Sequence, residues 1–309
     1  MELSTGIYES LIYEALKKKL DALNKSQYAV NTLSIDSAEV PRLLTNYISK
    51  ILSRLLTDDK LFESLEERIA FINKILHFIE GEWSCDTADD LLVVQNYLLS
   101  GIISRAGKNE QQIKAYNLLR PKSGFTVSNL FTGSNHDLSL QSEINLDIQS
   151  ADEIYWIVAF IKFSGVRIFK DALSHFLENP HARMHIITTS YMAASEPKAL
   201  QFLKELSPEK VDIRVTYDTT LDRLHAKSYI FLRNSGLHTA YIGSSNLTKS
   251  AMTGLEWNIR VTSQENPQIF KAALATFDTY WNRPDFEPYD EERFQRAINA
   301  EQHKSDSEH

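Results

Sequence analysis

The sequence predicts an α/β fold, a mixed sheet flanked by helices, preceded by an all-α N-terminal domain. Three observations carry this. Residues 1–120 place apolar side chains at helical spacing, at Ile7, Leu11, Ala15 and Leu16 of "IYESLIYEALKKKLDAL" and again in "PRLLTNYISKILSRLL" and "LEERIAFINKILHFIE". Between 138 and 216, short apolar runs alternate with amphipathic stretches, the rhythm of strand–helix units. From 224 the strands follow one another closely, which calls for a hairpin.

Taken in order, Gly81, Gly101 and Gly107 divide the first 120 residues into about five helices of ordinary length. His77 falls on an apolar helical face and is expected to pack there. "LRPKSGFTVSNLFTGSNHD" has no sustained period, so 121–137 is expected to be a linker and 138–286 the α/β domain. "LSLQSEINLDIQSADE" reads as a helix, and "IYWIVAFI" (154–161) as a strand buried on both faces. Then "GVRIFKDALSHFLEN" reads as helix, "RMHIITT" as strand, "EPKALQFLKELS" as helix with Pro197 in its first turn, and "VDIRVTY" as strand. That alternation implies a largely parallel sheet. "HAKSYIFL" and "TAYIG" form a hairpin across "RNSG", and "EWNIRVT" is a further strand. "QIFKAALATFDTYWNR" returns to helix, and 287–309 is expected to be a polar tail, frayed or a linker.

With 43% hydrophobic and 24% charged residues, the chain has the balance of a soluble globular protein. It holds no apolar run long enough to span a bilayer, and "MELSTGIYES" lacks the basic and apolar regions of a secretory signal. A lone cysteine, Cys85, excludes an internal disulfide framework and a Cys-rich zinc site, and is expected to be structural. Together these predict a cytoplasmic protein. The net charge of −8 argues against a global field for polyanions. Residues 121–262, however, carry equal numbers of basic and acidic side chains, so any polyanion would meet a local cleft.

"RLHAKSYIFL" (223–232) sets His225 and Lys227 two apart in a strand-like run, which puts both on one side. An exposed strand face would account for that pair alone. "YIGSSNLTKSAMTGLEWN" supplies more: Gly243 ends the next strand, Ser244 and Asn246 lie beyond a strand end where α/β sites form, and Glu256 is the next carboxylate. A cationic lysine, amide and hydroxyl donors, and an imidazole able to attack phosphorus together make a phosphate site.

These residues resemble the phospholipase D superfamily, whose signature is His-x-Lys followed by Gly-Ser-x-Asn, matched here by His225, Lys227, Ser244 and Asn246. The resemblance implies a phospholipase-D-like sheet and a metal-independent phosphodiester transfer that needs no cofactor. By that analogy His225 attacks phosphorus to form a phosphohistidine, a second histidine protonates the leaving oxygen, and water releases the phosphate. Lys227 and Asn246 would bind nonbridging oxygens, Ser244 would add a donor, and Glu256 would orient the imidazole, as in the nuclease branch. Many members carry an Asp five positions beyond the Lys; Leu232 stands there, which moves the weight from lipases to nucleases. The chain has one such motif, and His175, His181, His185 and His238 lack a lysine two positions on. The expected resolution is a homodimer that pairs His225 with its twin across a twofold axis.

A second resemblance runs along most of the chain. "GIYESLIYEAL", "SADEIYWIVAFIKFSGVRIF", "ITTSYMAASEPKAL", "YDTTLDRLHAKSYIF", "AYIGSSNLTKSAMTGLEWNIRV" and "TFDTYWNRPDFEPYD" are similar to the N-terminal portion of large bacterial DEAD/DEAH-type helicase proteins that begin with a phospholipase-D-like nuclease domain. No G-x-x-x-x-G-K-[ST] loop occurs, so this chain is not expected to hydrolyse ATP, whether it is a fragment or a stand-alone relative. A helicase domain or subunit is a possible partner by that resemblance.

Further candidates surround the motif. Thr189 and Ser190 follow a strand and open a helix, as ligand contacts or beside a helix cap at Ser195; Ser245 shares the Ser244–Asn246 turn. Lys162 and Ser164 follow the first strand in the same manner. Arg223 would meet a flanking phosphate or pair with Asp222 or Asp218. Trp257, Tyr155, Trp156, Phe160 and Phe163 are expected in the core. The expected function is a nuclease acting on nucleic acid, DNA more than RNA. The alternatives are a catalytically weak DNA-binding or dimerisation module and, with no membrane-binding amphipathic segment, the less favoured lipid phosphodiesterase.

Overall fold

The structure, a computed structural model, describes residues 10–24, 26–83, 87–93, 98–102, 105, 109–111, 119–134, 136–218 and 223–307. Cys85 lies outside them. The chain divides into two units, Met1–Leu99 and Ser100–His309.

In the first unit the described residues form three helices, α1 (Glu14–Asp21), α2 (Val40–Leu56) and α3 (Leu65–Trp83), and a short 3-10 turn, Ala88–Asp90. Pro41 opens α2, where its missing N–H costs nothing. The Asn73 side chain exchanges two hydrogen bonds with the Leu92 backbone, and the Thr87 hydroxyl donates to the Leu76 carbonyl. Among the described apolar side chains of this unit Ile69 alone is buried. His77 does not pack as expected: it is exposed on α3 with Nδ1 3.6 Å from Glu80.

Among the described residues the second unit is built on eight strands: β1 (Asn129–Phe131), β2 (Glu153–Val158), β3 (Arg183–Thr189), β4 (Val211–Thr216), β5 (Lys227–Leu232), β6 (Thr239–Gly243), β7 (Asn258–Thr262) and β8 (Phe286–Pro288). They form one sheet in the order β1-β7-β6-β5-β2-β3-β4-β8. The sheet is less parallel than the alternation suggested. β2, β3 and β4 run parallel, joined by helical crossovers, whereas every other pairing is antiparallel. The reason is connection length: the β5–β6 turn is too short for a crossover, and it closes on Gly236 at φ 78°.

The helices of this unit are α4 (Leu140–Ser150), α5 (Phe163–Arg167), α6 (Lys170–Glu178), α7 (Pro197–Leu206), α8 (Lys249–Thr253), α9 (Pro267–Trp281) and α10 (Glu291–Ser307). Strand alternation feeds two cores. Ile154, Trp156 and Val158 of β2 join Ile144 and Ile148 of α4, while Ile157 joins Val261, Phe270 and Phe277 beneath α9. The expected linker and tail both contribute. Residues 129–131 add a strand with Phe131 buried, and Lys122 and Ser123 donate backbone N–H groups to Glu143. Beyond 287, α10 buries Phe294 and Ile298 in the first core, because two apolar positions four apart make a helical stripe despite the polar composition.

A buried polar cluster ties α4 to the strands. The Asp147 carboxylate pairs with the Arg233 guanidinium and accepts from Arg260 Nε (3.1 Å), the Tyr241 hydroxyl (2.6 Å) and the Thr239 hydroxyl (3.0 Å). Burial alone would raise its pKa; the charges of Arg233 and Arg260 outweigh that and hold it below the ordinary carboxylate value.

Candidate active site

The topology brings the motifs to one edge of the sheet. Parallel β2, β3 and β4 end there, β6 ends there at Gly243, and antiparallel β5 and β7 begin there, with Val158 opposite Lys227 and Gly243 opposite Asn258. Loops beyond strand ends are where α/β sheets place ligands. Two loops are stitched together at this edge. Leu247 N–H donates to the Phe160 carbonyl (3.1 Å), Lys162 N–H to the Leu247 carbonyl (3.0 Å), and Phe160 N–H to Asn246 Oδ1 (3.2 Å). Gly165 permits this approach, since a Cβ there would lie 2.2 Å from the Leu247 oxygen.

Lys227 opens β5 and His225 lies just before it, so the pair is not carried on regular strand as expected. The Lys227 side chain folds back instead. Its ammonium lies 2.9 Å from His225 Nδ1 and 3.1 Å from Nε2, and donates to the His225 carbonyl at 2.6 Å. His225 is exposed while Lys227 is buried. Burial lowers the Lys227 pKa below the ordinary lysine value, and the Glu256 carboxylate partly opposes this. The Phe160 ring lies edge-on to the imidazole with centroids 5.9 Å apart, and the ammonium is 6.0 Å from its centroid. With Oδ1 committed to Phe160, Asn246 presents its Nδ2 amide as a donor.

Glu256 and Ser244 meet across the β6–β7 entry. The Ser244 hydroxyl donates to Glu256, and Trp257 N–H donates to the Ser244 hydroxyl at 3.1 Å. No hydrogen bond joins Glu256 to His225 among the described residues, in contrast to the expected orienting contact. Gly243 makes the junction possible: a Cβ would lie 2.2 Å from the Trp257 carbonyl oxygen and 2.6 Å from Asn258 Oδ1. Gly243→Ala is therefore expected to push the strands apart where Ser244 faces Glu256, costing about 1–3 kcal/mol as overpacked sites do. Thermal unfolding of the variant checks this.

Comparison with known proteins bears on this edge and the sheet behind it. Residues 144–281 match the family model described as "Cardiolipin synthase, PLD-like domain". This segment is similar to phospholipase-D-like domains. A glycogen synthase of Lactiplantibacillus plantarum is 25% identical over 148 residues, 48% of this chain and 30% of its own length, so the match spans under a third of that relative. Among solved structures, the phospholipase D family member Nuc from Salmonella typhimurium is 19% identical with a TM-score of 0.40, covering 53% of this chain and 99% of its own. NucT from Helicobacter pylori is 14% identical with a TM-score of 0.41, again covering 53% of this chain and 99% of its own.

The flanking candidates are placed unequally. Thr189 and Ser190 are buried and direct their hydroxyls to the Thr216 carbonyl at 3.5 and 3.4 Å, so they line no surface for substrate. Ser245 is likewise buried: its hydroxyl donates to the Ala251 carbonyl and accepts from Asn258 Nδ2 at 2.8 Å. These three shape the loops from within. Ser195 does not cap α7 but bridges the Ala159 carbonyl and Ile161 N–H. Lys162 and Ser164 are exposed at the edge, and Arg223 is exposed with its guanidinium 5.3 Å from the Tyr191 ring centroid.

Of the aromatic residues expected in the core, Trp156 is buried, Tyr155, Phe160 and Phe163 are half-buried, and Trp257 is 67% exposed. Phe160 is a site residue expected in the core, because it falls inside the apolar run 154–161; β2 ends at Val158, which leaves Phe160 in the loop at the edge. His185, stacked on Trp281 at 4.7 Å, and His238, stacked on Phe270 at 5.4 Å, lie toward the opposite edge of the sheet. His175 is on α6, 3.5 Å from Glu178.

Proposed function

We propose that this protein is a phosphodiesterase that cleaves nucleic acid, DNA in the first instance, through a phosphohistidine on His225. The observation that carries the reading is the Lys227 ammonium held against His225 beside the Asn246 amide and the Ser244–Glu256 pair. An exposed imidazole with a cation and neutral donors around it suits attack on a phosphodiester anion.

The phosphate oxygens draw the Lys227 ammonium from the ring nitrogens, which uncovers the lone pair for attack. Nitrogen bonds to phosphorus, the bond to the leaving oxygen breaks, and a second imidazole gives that oxygen its proton. Water then attacks phosphorus, yields its proton to the second imidazole, and releases His225. We assign the second imidazole to His225 of a second copy, because the chain carries one His-x-Lys motif, and His185 and His238 lie toward the far edge. Lys227 and Asn246 Nδ2 hold the nonbridging oxygens, and Glu256 holds the Ser244 hydroxyl in place.

Incubation with single- and double-stranded DNA in excess EDTA tests this reading. The expected result is chelator-resistant cleavage, an acid-labile and alkali-stable phosphoenzyme, and a solution mass near twice 35.4 kDa. Cleavage that EDTA abolishes would refute it. Because the Lys227 pKa is lowered, the positive charge is present below that depressed value and is lost as pH rises through it, before an ordinary lysine would titrate. Activity is expected to fall on the alkaline side there, and Lys227→Arg, which stays charged, to remove that limb from its residual rate.

A second reading is favoured by one observation, the ammonium covering both ring nitrogens: a catalytically weak module that docks DNA or dimerises a helicase system. It predicts binding without cleavage. No helix of the described residues is long and apolar enough to cross a membrane, and we place either activity in the cytoplasm.

A further inference from the structure

Resting on the nucleic-acid reading above, we infer that Trp257 is a stacking platform for an unpaired base next to the scissile phosphate, so that the substrate is single-stranded at the site. The strand entering the sheet at Asn258 has an inverted pattern. Asn258 and Arg260 point inward and are buried, whereas Leu255, Trp257 and Ile259 are 84%, 67% and 45% exposed. Leu130, opposite Ile259 on β1, is 52% exposed and continues the strip. α9 covers this face only farther down, where Val261 is buried with Phe270. An apolar strip beside a polar site marks contact with something.

Three features favour a base. The first is attachment: Ser244 N–H donates to the Trp257 carbonyl at 3.0 Å and Trp257 N–H returns to the Ser244 hydroxyl at 3.1 Å, which fixes the root of the indole against the Ser244–Glu256 pair of the proposed site. The second is charge, since Arg223, Lys162 and Lys249 are exposed among the loops of the same edge and attract the flanking backbone. The third is area. Four side chains expose a few hundred Å², short of the ~800 Å² that a stable protein partner covers on each side. An indole face matches a base, and a base paired in a duplex has no face to offer.

The test uses the full chain carrying His225→Ala, so that bound strands persist, and compares a single-stranded oligonucleotide with an abasic strand of the same length. Adding Trp257→Ala is expected to weaken binding of the normal strand roughly tenfold, with no effect on the abasic strand, and Trp257→Phe to restore most of the loss. Equal weakening on both strands, or no weakening on either, would overturn the inference. So would loss of a dimer in Trp257→Ala, which would make the strip a protein interface. If the His225→Ala protein binds neither strand, the nucleic-acid reading falls with it.

Discussion

His225→Ala should abolish chelator-resistant cleavage while leaving the fold intact. His225 is exposed and precedes β5, and its ring meets the half-buried Phe160 and the Lys227 ammonium at the sheet edge, outside the two apolar cores, so its removal does not open a core cavity. Loss of a covalent nucleophile takes the reaction back to what binding and charge alone achieve, a fall on the order of 10⁴-fold or more. Cleavage rates in EDTA, beside matched unfolding curves, provide the measurement. Residual activity within about tenfold of the parent is incompatible with attack by this imidazole. Binding of the strand should survive, since Lys227 and Asn246 remain.

The largest expected change in stability comes from Asp147→Ala. The carboxylate is fully buried and serves Arg233, Arg260, Tyr241 and Thr239 at once. Its removal leaves two guanidinium groups buried without their counterion, which costs about 3–5 kcal/mol when one partner of a buried pair is lost. For a unit of this size the melting temperature should fall by about 10 °C or more. Asp147→Asn keeps the volume but not the charge and should be nearly as damaging. A loss comparable to that of an exposed substitution would contradict the arrangement. The same group contributes to acid sensitivity: with its folded pKa below the ordinary 3.8, its stabilisation is present above that value and is lost as pH falls through the depressed one.

Much of the second unit was legible as pattern. "RMHIITT" is β3 residue for residue, and "EPKALQFLKELS" contains α7 with Pro197 at its start, because each segment's periodicity and turn chemistry agree. The failures occur where a residue's neighbours come from elsewhere in the chain. Trp257 alternates as a core residue should, yet α9 stops short of it. Phe294 and Ile298 sit in a polar tail but meet an apolar surface built by distant residues. The expected linker became an edge strand because β7 offered it a partner.

The sequence by itself determined the strand and helix order of the α/β domain and the chemical identity of His225, Lys227, Ser244, Asn246 and Glu256 as groups suited to phosphate. These are local properties, carried by side-chain type and spacing. The tertiary structure alone decided which of them touch. It set the Lys227 ammonium on His225, gave Glu256 to Ser244, buried Thr189, Ser190 and Ser245, and brought Phe160 between the loops. Those outcomes depend on how strands far apart in the chain come to lie side by side, with Val158 opposite Lys227 and Gly243 opposite Asn258. That registry follows from packing the whole core, so no short stretch of sequence contains it.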